Sequence, residues 1–128
     1  MFQGMIEFPV VAYVDNDPGA DDYLPLWVAP RKAQIVSAYA LVTNDVGGDT
    51  ANYFELALVN GGTAGTGTTA IAAAIGGAAG WTGLLPVAFT VATPELAAGE
   101  VVALHYNEEG TGTFTAMAIQ LNIRYGDA

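Results

Sequence analysis

The 128-residue sequence predicts an all-β fold, a two-sheet β-sandwich of jelly-roll-like kind with about eight strands. Three observations predict it. Short apolar segments alternate in-and-out with period two, the pattern of a half-buried strand. Clusters of Gly, Asn, Asp, Pro and Thr interrupt them every ~8–15 residues, as in a sandwich or barrel. The large core formers are modest in number: 12 Val, 10 Leu, 6 Ile and 13 aromatics beside 23 Ala. Alanine buries little area, so this stock suits a thin two-layer core. At this length the chain is one domain, residues 9–128, preceded by an N-terminal arm, residues 1–8.

The arm carries Phe2, Met5, Ile6 and Phe8 with a single charge, Glu7, and is too apolar for a free tail. It either completes the chain's own sheet or docks on a neighbouring protein, and docking is the expectation. Pro9 opens a first strand, Val10 to Val14, ended by the turn formers Asp15-Asn16-Asp17-Pro18-Gly19. Residues 23–28 make a second strand, where Pro25 demands an edge or a bulge. A long strand follows over 33–43. Strict alternation puts Ile35, Tyr39 and Leu41 on one face and Val36, Ala38, Ala40 and Val42 on the other. Strand 53–59 turns Phe54, Leu56 and Leu58 to one side. The run Asn60-Gly61-Gly62-Thr63-Ala64-Gly65-Thr66-Gly67-Thr68-Thr69 is then a wide turn.

Ala70 to Ile75 reads as a strand or one helical turn, since alanine favours helix but Gly76-Gly77 stops it early. Residues 85–92 are expected as a strand, 94–98 as a connection with room for a helical turn, and Glu100 to Tyr106 as a strand. The turn Asn107–Gly112 leads into a last strand, Thr113 to Tyr125. Its inner face is Thr115, Met117, Ile119, Leu121, Ile123 and Tyr125. Alternation does not reveal strand order.

The charge balance excludes some functions. Thirteen acidic residues face three basic ones, Arg31, Lys32 and Arg124, for a net charge of −10. Such a chain repels phosphate backbones and anionic bilayers, so neither nucleic acid nor membrane is an expected partner. Cysteine is absent, which removes disulfides and thiolate metal sites. The first residues lack the basic and apolar regions of a secretory leader. The alanine-rich stretch Thr69–Ala79 is too short and glycine-broken to span a bilayer.

Catalytic chemistry has few side chains to use. Ser37 is the only serine and His105 the only histidine, both within expected strands and without a nucleophile-elbow context. Paired carboxylates occur in turns, Asp15, Asp17, Asp21 and Asp22 and again Glu108 and Glu109, and are read as solvated rather than as a glycosidase pair. The spacing Asp15-x-Asp17-x-Gly19-x-Asp21-Asp22 invites a weak calcium alternative. It departs from the EF-hand, with glycine at loop position five and no distal glutamate. The Gly/Thr run lacks the lysine of a phosphate loop. Trp81, between glycines, is either an anchor folded over a sheet edge or an exposed contact residue. Trp27 is expected in the core. No catalytic residue, cofactor or resident metal is expected.

Residues 33–125 resemble the small capsid-decoration proteins of tailed bacteriophages, also called cement or head-stabilisation proteins. The resemblance runs through Leu58–Thr69, the Ala/Gly segment, Leu96-Ala97-Ala98-Gly99-Glu100-Val101-Val102-Ala103-Leu104, and a Gly-Thr turn into the long final strand. It implies a β-sandwich subunit, often oligomeric, docked outside an icosahedral shell, and it brings no catalytic residues. The expected role is structural: made in the host cytoplasm, the protein decorates the virion exterior and bridges major capsid proteins. The expected self-association is a homotrimer, because the last strand offers Phe114, Ala116 and Ala118 on its second face. Phe2, Met5, Ile6, Phe8 and Trp81 are the expected partner-binding residues. Two rival functions stand beside it. One is a carbohydrate- or receptor-binding jelly roll of a fibre or tail, which needs Trp81 or Tyr106 exposed beside Asp or Asn. The other is a small glycan hydrolase or lyase.

Overall fold

A computed structural model describes residues 7–126. Among them are nine strands and no helix: β1 (Glu7–Val14), β2 (Asp22–Val28), β3 (Ala33–Val42), β4 (Tyr53–Asn60), β5 (Thr69–Ile75), β6 (Val87–Ala88), β7 (Glu95–Leu96), β8 (Val101–Glu109) and β9 (Met117–Tyr125). They form two antiparallel sheets packed face to face. The first has the order β1-β9-β3-β6, with β7 also on β3; the second has the order β2-β8-β4-β5. Chain connections pass repeatedly from one sheet to the other, giving the two Greek keys of a jelly roll.

The inner faces supply a thin core. The first sheet contributes Ile35, Ala38, Ala40 and Val42 from β3 and Met117, Ile119, Leu121 and Ile123 from β9. The second contributes Phe54, Leu56 and Leu58 from β4 and Val102, Leu104 and Tyr106 from β8. Alanines on β3 let the sheets approach, and the larger side chains of β4, β8 and β9 fill the space opposite.

Bulges interrupt the alternation of β3 and β2. In β3 the register against β9 shifts between Ile35 and Ser37. This bulge sends Ile35 inward with Ala38, Ala40 and Val42, and leaves Val36 outside with Tyr39 and Leu41. The expected pairing of Ile35 with Tyr39 and Leu41 is therefore corrected. In β2 a bulge lies between Pro25 and Trp27, and β2 is also an edge strand, so Pro25 costs no ladder bond.

The expected strand over 85–92 survives only as Val87–Ala88. Beyond Phe89 the chain leaves β3, and Val91 bridges Ala72 of the other sheet. It then returns as β7, where a helical turn had been allowed. β6 and β7 thus form one interrupted edge strand that ties the two sheets together. The segment 70–75 is a strand because β4 offers it a hydrogen-bonding edge, which outweighs the weak helical preference of alanine.

Candidate interaction surface

The sandwich has two ends. The loops 15–21, 43–52, 76–86 and 110–116 gather at one; 29–32, 61–68 and 97–100 gather at the other, beside Glu7 and Tyr125. Charge is segregated between them. The first end holds Asp15, Asp17, Asp21, Asp22, Asp45, Asp49, Glu108 and Glu109 and, among the described residues, no base. All three bases sit at the other end. There Arg124 pairs with Glu7 at 3.2 Å, and the Arg31 guanidinium lies 4.7 Å from the Tyr125 ring centre.

The acidic end is ordered by its own carboxylates. Asp17 accepts from the Gly19 N–H through Oδ1 at 2.7 Å and from the Phe114 N–H through Oδ2 at 3.1 Å, tying two loops together. Asp21 accepts from the Glu108 N–H at 2.7 Å, and Asp22 from the Tyr23 N–H at 2.8 Å. Asp49 accepts from the Ala51 and Asn52 N–H groups at 2.8 and 3.0 Å, and these bonds hold its carboxyl below the usual range. Asp15, Asp17, Asp21 and Asp22 do not converge: among the described residues no group of three or more potential ligands is placed to hold a metal ion. Behind this end, Tyr106 is fully buried with its hydroxyl 3.0 Å from Glu108 Oε1 and 3.1 Å from the Gly112 carbonyl oxygen. Burial first, and then the Glu108 carboxylate, push its phenol pKa well above the usual value.

Ser37 and His105 are on opposite outer faces of the sandwich. The Ser37 hydroxyl accepts from the Asn122 amide at 2.7 Å on the first sheet. The His105 ring stacks on Tyr23 at 4.3 Å on the second. The two side chains cannot form a nucleophile–base pair with the core between them.

Of the expected partner-binding residues, Phe2, Met5 and Ile6 lie outside the described residues. Phe8 is half-buried in β1, edge-on to Trp27 with ring centres 6.2 Å apart and 5.0 Å from the Tyr125 ring. It closes the β1–β2 side of the sandwich, and Trp27 is half-buried there rather than central. Trp81 is 6% exposed and stacks flat on Phe54 with ring centres 5.3 Å apart. It is an anchor, not an exposed contact residue. The aromatic platform needed for a glycan site is likewise not formed by Trp81 or Tyr106, both of which are buried.

The surface that remains is the outer face of the first sheet. Register places Tyr13, Ala118 and Leu41 in one row across β1, β9 and β3, and Val11, Gln120 and Tyr39 in the next. Pro9, Asn122 and Ser37 make a third row, and Glu7, Arg124 and Gln34 a fourth. The first two rows are uncharged. The β5–β6 loop lies beside them, so that Leu84 and Tyr13, with Asp15, line one shallow groove of about 220 Å³ over Ala116 and Ala118. Pro86 meets Tyr39 and Leu41 in a second groove. Tyr13 is 74% and Leu84 70% exposed. Among the described residues Leu84 is the only non-glycine in the left-handed region, at φ 62°. It is held there by its N–H donating to the Val42 carbonyl at 2.8 Å, beside Gly83, whose N–H donates to Asp45 Oδ1 at 2.7 Å. The alternation on β9 and the shared face of Tyr39 and Leu41 were legible in the sequence; the strand order that sets them side by side, and the loop that brings Leu84, were not.

No protein-family model, curated protein or solved structure matches the chain.

Proposed function

We propose that this chain is a non-enzymatic structural protein that works by protein contact, decorating the outside of an icosahedral phage capsid and bridging its major capsid proteins. The observation that carries the reading is the pair of uncharged rows on the outer face of the first sheet, Tyr13, Ala118, Leu41 and Val11, Gln120, Tyr39, with Tyr13 and Leu84 held out of the fold. An apolar surface of this kind on a small sandwich marks a contact with another protein. The sequence resemblance to decoration proteins supplies the partner. The separation of Ser37 from His105 and the backbone-capping roles of Asp17, Asp21, Asp22 and Asp49 leave these groups with structural work.

The mechanism is mechanical. A subunit that binds only the assembled shell stabilises that state by linkage. Many copies at symmetric sites multiply a modest contact energy. The acidic end suits basic patches on capsid proteins, and opposite charge speeds encounter. Co-sedimentation of the purified chain with undecorated heads, followed by heating, tests this. Bound chain and a raised disruption temperature are expected. Heads that sediment without it, together with binding on a glycan array, would assign the protein to the carbohydrate-binding alternative.

A further inference from the structure

We draw no further inference here: the strongest candidate, the acidic corner on the outer face of the second sheet where Asp21, Asn107 and Glu55 lie beside the stacked Tyr23 and His105 rings, is a cluster of carboxylates whose hydrogen bonds are made within the fold, and nothing in the structure points to a ligand there or shows what covers it.

Discussion

Trp81 and Leu84 stand three residues apart on the β5–β6 loop, one enclosed and one exposed, and the backbone around them sets the difference. Gly80, at φ 92°, turns the chain so that Trp81 enters the core, and a Cβ at Gly77 would meet the Phe54 carbonyl oxygen and come 2.6 Å from Trp81 Nε1. The indole is thus clamped over Phe54, with its Nε1 buried and unpartnered. Trp81→Ala should cost about 3–5 kcal/mol in urea denaturation, the usual range for deleting a buried aromatic. Trp81→Phe should cost far less, because it keeps the stack and removes a buried donor that has no acceptor. Tyr106 makes a pH prediction. Its phenol pKa is raised in the fold, so the folded form stays neutral where the unfolded chain ionises. Its contribution is complete below the ordinary tyrosine pKa of about 10 and fades as pH rises above it. Tyr106→Phe should flatten the alkaline limb of the melting-temperature profile, and an unchanged limb would remove Tyr106 as its cause. The flanking glycines made Trp81 conspicuous in the sequence, but inward and outward placement depended on backbone angles that a sequence does not display.

At the scale of elements, the strands with one buried face were legible and the irregular ones were not. β9 alternates from Met117 to Ile123, and β4 from Tyr53 to Leu58, because one face of each meets the core over that length. β3 alternates in sequence as well, but its bulge exchanges the faces of one half against the other. A bulge is chosen by what each half must cover, and both choices present apolar residues in this segment. The strand expected over 85–92 is cut short for a related reason: Val91 serves the opposite sheet, a demand that arises only once the sheets are stacked. Loops hold their own predictions. The β3–β4 loop turns on Asp49, whose lowered pKa means that its contribution exists above the ordinary carboxylate pKa and is lost as pH falls through the lowered value. Asp49→Asn should therefore reduce the melting temperature at neutral pH and leave it nearly unchanged in strong acid. A difference that persists undiminished at low pH would show that the charge of Asp49 is not what orders the loop.

For the whole molecule, charge distribution matters more than total charge. Eight carboxylates crowd the loops of one end while the bases sit at the other, so the fold carries a repulsion that salt relieves. Raising ionic strength should raise the melting temperature of the monomer, and replacing Asp21 and Glu109 by their amides should shrink that salt effect. A melting temperature indifferent to salt would mean that the carboxylates are already compensated by the backbone N–H groups they accept from. The sequence by itself determined the all-β class, most strand positions, the thin alanine-lined core and the scarcity of reactive side chains, because composition and period-two patterning are local properties of the chain. Tertiary structure alone decided the strand order, the β3 bulge, the enclosure of Trp81, the separation of Ser37 from His105, the acidic pole and the apolar outer face. Each of these depends on which distant segments become neighbours, and pairing between strands far apart in the chain is settled by the packing of both sheets at once.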